Sequence, residues 1–455
     1  MSKVLKIANA QAFWGDSLTA AASLIHQQPD IDYITLDFLA EVSLSIMAAQ
    51  KVKDSSAGYA QDFVEVVKSL IPYWLSGSKV RIVTNAGGLN PQACAQACAE
   101  ILRQAGCSLL IAVIAGDNVL DIIKAEPETS TFNNLETQVP ISEVLSKLLT
   151  ANAYMGAKPL AEALKKGAAI VITGRVADPS LTVAPCVAHF DWALTDYDRL
   201  AQATIAGHLI ECGTQVTGGI SDDWLNLPNL AQIGFPIIEM SSDGSFIITK
   251  PSESGGRVSV ETVKEQLLYE IGDPQRYLSP DATVSFLSLK LEETGSNRIK
   301  VVGALGSAPP STLKVSATYH EGFKAEGMLA IVGRNVQIKA RRCGEIILER
   351  LTKAGFVPER SLIECLGCGD ITQGVLANSH LQPFECILRI CVADRRREVL
   401  EHFSREIAPM VTSGPPGTTG YTSGRPHIRP VLGYWPCLID ASLVKPIIEY
   451  IKVSQ

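Results

Sequence analysis

Arg175 and Asp178 stand three residues apart in Thr173-Gly174-Arg175-Val176-Ala177-Asp178-Pro179-Ser180, directly after the apolar run Ala168–Ile172. An arginine can grip a carboxylate or phosphate bidentately, and a neighbouring carboxylate can orient it or act as a base. The alternative is structural: Asp178 as a helix N-cap ahead of Pro179, with Arg175 in a surface ion pair. A second set lies on the helix expected over Tyr197–Val216. There Thr204, His208, Glu211, Cys212 and Gln215 recur at helical spacing along one stripe, opposite Leu200, Ile205, Leu209 and Val216. A histidine and a carboxylate on one face can divide general-acid and general-base roles. A solvated polar face is the ordinary reading of such a stripe. Asp178, His208, Glu211 and Cys212 are the catalytic candidates.

Binding candidates come from loops. Asn85-Ala86-Gly87-Gly88-Leu89-Asn90-Pro91 follows the apolar run Val80–Thr84 and precedes an alanine- and cysteine-rich helix. It lacks the G-x-G-x-x-G dinucleotide spacing, and its amides and backbone suit an anion or carbonyl pocket. Asn85, Gly87, Gly88 and Asn90 are therefore singled out, with an ordinary βα turn as the alternative. Asp117 follows Ala112–Ala115, and Trp14 and Asp16 lie in the loop after Val4–Ala8. Lys250-Pro251 and Gly255-Gly256-Arg257 frame a segment that could close over an anion, adding Lys250 and Arg257. Arg175 and Gln215 complete the set.

These loops need strands and helices to hold them. Up to about residue 280 strand-like and helix-like segments alternate at βα spacing: Val4–Ala8, Ser17 as an N-cap for a helix through Ile25, Tyr33–Phe38, Ala40–Gln50, Val80–Thr84, Ser108–Ala115 and Ala168–Ile172. That pattern predicts an α/β domain, 1–280, with a mostly parallel, helix-covered sheet whose ligands bind beyond the carboxyl ends of the strands. Glu126–Gln138 reads as an excursion loop, and a hairpin turns at Asp243-Gly244. From about Pro280 the chain is strand-rich, with helices at Asn335–Ala354 and Arg396–Ile407, which predicts a smaller α+β domain over 281–455. The punctuated stretch Val411–Pro430, with Gly420-Tyr421, reads as a functional loop or an interface device.

Cys365-x2-Cys368 and Cys386-x4-Cys391 superficially resemble a zinc ribbon. Residues five apart in a strand face opposite sides, so Cys386 and Cys391 are poorly placed to share a metal, and no metal site is expected. Arg395-Arg396-Arg397 is read as a solvated helix start. No Walker loop, HExxH, G-x-S-x-G or kinase motif occurs, so no cofactor is required by the sequence.

The chain has 455 residues, 46% hydrophobic and 19% charged, with a formal net charge of −7. This balance argues against nucleic acid or an anionic membrane as partner. No run approaches the ~20 apolar residues of a membrane span, and Met1–Ala12 is too interrupted for a signal peptide. Eleven cysteines without paired spacing fit a reducing compartment. A cytoplasmic protein is expected, and the apolar fraction and the C-terminal loop suggest a homo-oligomer.

Several motifs together resemble one family. Phe13-Trp14-Gly15-Asp16, Asp37-Phe38-Leu39-Ala40-Glu41-Val42, the Thr84–Pro91 and Thr173–Ser180 loops, Gly207-His208-Leu209-Ile210-Glu211-Cys212-Gly213, Gln215-Val216-Thr217-Gly218-Gly219, Gly255-Gly256-Arg257-Val258, Ser413-Gly414-Pro415-Pro416-Gly417 and Arg425-Pro426 look like the AtuA-like acyclic terpene utilisation proteins. The resemblance implies a role in the breakdown of branched acyclic isoprenoids such as citronellol or geraniol. It implies release of acetate from a branched 3-hydroxy-glutaryl-CoA-type intermediate, with a small-molecule carboxylate or CoA thioester as substrate. The expected enzyme is a carbon–carbon lyase in which Glu211 or Asp178 is the base and Arg175, with Lys250 or Arg257, holds a carboxylate. The Asn85–Asn90 loop would then stabilise developing charge. A hydro-lyase and a non-catalytic binding subunit are the alternatives, and whether a divalent metal takes part stays open.

Overall fold

The computed structural model describes residues 4–40, 42–372, 383–420 and 424–454, so Met1, Glu41 and Tyr421 of the motifs above lie outside the described residues. Two compact units are formed, one by residues 1–318 and 434–455 and the other by 319–433.

The first unit begins β1 (Leu5–Asn9), α1 (Ala20–Gln27), β2 (Tyr33–Leu36), α2 (Ser43–Lys53), α3 (Asp62–Leu75), β3 (Arg81–Thr84), α4 (Pro91–Gln104), β4 (Leu110–Ala115) and α5 (Leu120–Ala125). It continues through β5 (Leu148–Ala153), α6 (Lys158–Lys165), β6 (Ile170–Thr173), α7 (Ser180–Phe190), α8 (Tyr197–Glu211), β7 (Ile237–Met240), β8 (Phe246–Thr249) and α9 (Val260–Leu268). Short strands follow: β9 (Tyr277–Leu278), β10 (Thr283–Ser285), β11 (Lys290–Gly295), β12 (Arg298–Val302), β13 (Leu305–Ser307) and the start of β14 (Thr312–Val332).

The second unit holds the rest of β14, α10 (Val336–Lys353), β15 (Arg360–Leu366), β16 (Glu385–Asp394), α11 (Arg397–Glu406), α12 (Met410–Ser413), β17 (Thr418–Gly420) and the start of β18 (Arg429–Asp440). The remainder of β18 and β19 (Ile447–Lys452) belong to the first unit.

The protein is α/β. Ten strands of the first unit form one sheet in the order β11-β12-β8-β7-β1-β2-β3-β6-β4-β19. The central β1, β2, β3, β6 and β4 are parallel, and β7 and β19 add antiparallel strands on either side. Their Val/Ile-rich runs are buried on both faces, as parallel strands under helices require. Inserting β6 between β3 and β4 reverses the strand order, and such a switch opens a crevice past the strands' carboxyl ends. Register aligns Leu36 with Thr84, Thr84 with Ile172, and Ile114 with Thr173. Asp37, Asn85, Gly174 and the Ala115–Asp117 turn therefore leave the sheet along one edge.

The second unit is α+β. Its sheet runs β15-β16-β14-β17, and α10 and α11 pack on it through Ile347, Leu351, Leu388, Ile390, Leu400 and Phe403. Cys386 is buried, while Cys391 is half-buried and meets Glu326, as their opposite parity along β16 dictates.

Three local expectations need correction. The first helix starts at Ala20 with Thr19 as N-cap and no side-chain cap, so Ser17 does not cap it. The helix expected to reach Val216 ends at Glu211. Gly213, at φ +58°, turns the chain into the 3-10 turn Gly213–Gln215, so Cys212 and Gln215 leave the stripe. No solvated face exists on α8 either, because every residue from Leu200 to Ile210 is buried. Among the described residues no helix is long and apolar enough to cross a membrane.

Candidate active site

The loop after β6 is built on Asp117, whose buried carboxylate accepts from the Arg175 backbone N–H at 2.8 Å and from Asn152 Nδ2 at 2.7 Å, both on Oδ2. Gly174 makes this possible, since a Cβ there would lie 2.5 Å from both Asp117 carboxyl oxygens. Burial raises the Asp117 carboxyl above its ordinary value, which one oxygen accepting both bonds accommodates.

Arg175 is 3% exposed, so it is no surface cation. Its Nη1 meets Asp178 Oδ1 at 2.8 Å and donates to the Leu39 carbonyl at 2.6 Å, and its guanidinium lies 4.0 Å from the centre of the Tyr154 ring. Burial acts to lower the guanidinium pKa, but Asp178, Tyr154 and Asp37 hold it charged. Asp178 does not cap α7: the N-cap is Pro179, without a side-chain cap, and the Asp178 carboxylate turns to Arg175. Asp37 is buried and accepts from Asn85 Nδ2 at 2.7 Å and Leu39 N at 3.0 Å. Burial, then the nearby Asp178 charge, raises its carboxyl well above the usual range.

Helix α8 brings the second pair. His208 Nε2 lies 2.9 Å from the Gln266 carbonyl and Nδ1 lies 3.0 Å from Glu211 Oε1. A carbonyl only accepts, so Nε2 carries the hydrogen. The Nδ1–Oε1 contact then needs one further proton, held as imidazolium–carboxylate or as imidazole–carboxylic acid. Burial raises the Glu211 carboxyl, His208 opposes this, and Asp178 and Glu270 add to it. The result is a buried acid holding its proton above the ordinary carboxylate range. Tyr277 and Phe286 wall the imidazole, with ring centres 6.3 and 5.9 Å away.

A cavity of about 390 Å³ joins the two pairs. Tyr154, Arg175, Asp178, His208, Glu211, Glu270, Tyr277 and Lys314 line it, with Leu135, Ile271, Leu278, Leu313 and Leu438 supplying apolar wall. Of the candidates read from sequence, Arg175, Asp178, His208 and Glu211 converge here. Cys212 adjoins Glu211 with its thiol pushed up by burial, and Gln215 reaches Tyr269.

The others sit elsewhere. Asn85 bridges Asp37 and the Phe38 N–H. Asn90 caps α4, accepting from Ala93 N, and its Nδ2 donates to Ala57 O. Gly87 is pressed against Pro91 and the Thr173 carbonyl, and Gly88, at φ +50°, against Met47. The N–H groups of Gly88, Leu89 and Asn90 donate to Asn85, Gly58 and Gly87 carbonyls. Trp14 packs on the core, and Asp16 accepts from Ala12 and Ser17 N–H groups. Lys250 donates to the Ser254 carbonyl at 2.7 Å, and Arg257 pairs with Asp223 at 3.1 Å. Sequence reasoning missed Asp37, Tyr154, Glu270, Tyr277 and Lys314. Of these only Asp37 stood in a sequence motif, Asp37-Phe38-Leu39-Ala40-Glu41-Val42, while Glu270 is marked by its backbone alone, a left-handed φ of +59° in a non-glycine residue at the cavity wall.

The model of one family, acyclic terpene utilisation family protein AtuA, matches residues 5–450. No curated protein and no solved structure matches the chain.

Proposed function

Because this chain belongs to the acyclic terpene utilisation family AtuA, we propose that it is a carbon–carbon lyase releasing acetate from a branched 3-hydroxy-glutaryl thioester or acid. Supporting this reading above all is the convergence of Asp178 and the proton-holding His208–Glu211 pair on one partly apolar cavity. The apolar wall suits a branched hydrocarbon arm, and the polar wall suits a hydroxy acid.

The reaction is a retro-aldol cleavage. The Asp178 carboxylate takes the proton of the tertiary hydroxyl. The oxygen electrons form the ketone at C3 as the bond from C3 to the carboxymethyl carbon breaks. The electron pair left on that carbon takes the proton held between Glu211 and His208, giving acetate. The products are acetate and a 3-oxoacyl compound, and no co-reactant is consumed. Arg175 holds Asp178 in place and keeps positive charge beside the developing anion. Glu211 is assigned the acid role because burial raises its carboxyl and it shares a proton with His208 Nδ1, and Asp178 the base role because it stands beside Arg175.

Turnover in deuterium oxide tests the proton route. The reading requires acetate carrying one solvent deuterium in its methyl group. An unsaturated acid formed by loss of water would instead identify a hydro-lyase.

A further inference from the structure

An arginine and a lysine line the cavity, and they differ in how far their charge is already used. Arg175 is committed: Asp178, the Leu39 carbonyl and the Tyr154 face account for its guanidinium. Lys314 is not. Its ammonium lies 5.1 Å from the centre of the same Tyr154 ring and makes no ion pair among the described residues. The Lys314 main chain is tied down, with its carbonyl accepting from Tyr154 N at 2.9 Å, so the base of the side chain is positioned by the same residue its head approaches. Lys314 is exposed and lines the cavity, so its charge stays open to solvent and to a ligand.

Three acidic side chains line the cavity as well, Asp178, Glu211 and Glu270. Asp178 faces Arg175 and Glu211 shares a proton with His208, while Glu270 has no cationic partner within 4 Å among the described residues. An anionic ligand entering this cavity therefore finds Lys314 as the cation whose charge is not already matched.

We infer that Lys314 holds the substrate's free carboxylate, so that the substrate class is a branched acid presenting a carboxylate to Lys314 and its apolar arm to the Leu135, Leu313 and Leu438 wall. The inference rests on the cavity being the site proposed above, but not on the cleavage chemistry. A flexible ammonium over a tyrosine face can follow a carboxylate without the fixed fork an arginine would impose. Arg175 is thereby left to position Asp178.

Binding of 3-methylglutarate, followed by calorimetry on the full chain, separates this inference from turnover. Wild-type protein binds it, binding weakens with added salt, and replacing one carboxylate by a methyl ester changes affinity. Lys314→Met lowers affinity about tenfold, the loss of one charge-assisted contact, while Lys314→Arg retains most of it. Equal affinity of wild type and Lys314→Met would overturn the assignment. So would a Lys314 dependence seen with free coenzyme A, which carries phosphates and no carboxylate, and not with 3-methylglutarate. A lack of acetate release with intact Lys314-dependent binding would instead count against the lyase chemistry alone.

Discussion

Gly207 of α8 lies directly against Pro179: a Cβ at Gly207 would sit 2.7 Å from both the Cα and the carbonyl oxygen of Pro179. Backbone contact at this point brings His208 and Glu211 on α8 to the loop that ends in Asp178. Gly207→Ala must push the helix away from the loop. Overpacking of this kind costs about 1–3 kcal/mol. Thermal unfolding reads that cost, and activity should fall further than stability does, because the displacement acts on the spacing of the two pairs.

Glu211→Gln removes the proton-holding carboxyl while keeping its shape. The wild-type rate should decline as pH rises through the raised Glu211 value, where the acid is lost. The variant should be slower by a factor on the order of 10² or more, with that alkaline limb gone from its pH–rate profile. An unchanged alkaline limb in Glu211→Gln would assign it to another group.

Asp117 has a linked effect on stability. Its folded value is raised by burial, so the folded protein retains a proton that the unfolded chain releases at about pH 4. Its contribution is therefore fully present below that pH and is lost as pH rises through the folded value, by up to ~1.4 kcal/mol per unit. Asp117→Asn keeps an acceptor for Arg175 N and Asn152 and should flatten this slope. Asp117→Ala leaves both donors unmatched and should cost about 2 kcal/mol or more at every pH. Denaturant titration across pH 4–8 distinguishes the two variants.

The Asn85–Asn90 loop offers a contrast. Its amide groups hold Asp37, the Phe38 N–H and the start of α4. Asn90→Ala should cost about 1 kcal/mol of stability, as loss of an N-cap does, with KM unchanged. A raised KM at unchanged stability would place that amide on the ligand.

Much of the fold was legible because its signals are local. The runs at Val80–Thr84 and Ala168–Ile172 end in glycine loops and continue as helices, and the chain builds β3–α4 and β6–α7 from them. The hairpin at Asp243-Gly244 is likewise written in its turn residues, with Gly244 at φ +91°. Arg175, Asp178, His208 and Glu211 were visible because each pair is three apart. Tyr154, Tyr277 and Lys314 were not, because Tyr154 follows β5, Tyr277 begins the short β9 and Lys314 lies near the start of the long β14, all without a motif, and they meet the site only through tertiary packing. The stripe on α8 misled because a helical wheel assumes one face in water. This helix is buried all round, so its polar side chains must find partners, as His208 does with Gln266 and Glu211.

In the proposed reaction the Asp178 and His208–Glu211 groups cleave a carbon–carbon bond. Mass spectrometry of purified protein with a panel of branched 3-hydroxy-glutaryl acids and CoA thioesters tests it most directly. The wild type should release acetate and a 3-oxoacyl product in equal amounts, and Asp178→Asn neither. Loss of water without acetate, or acetate release undiminished in Asp178→Asn, would contradict it.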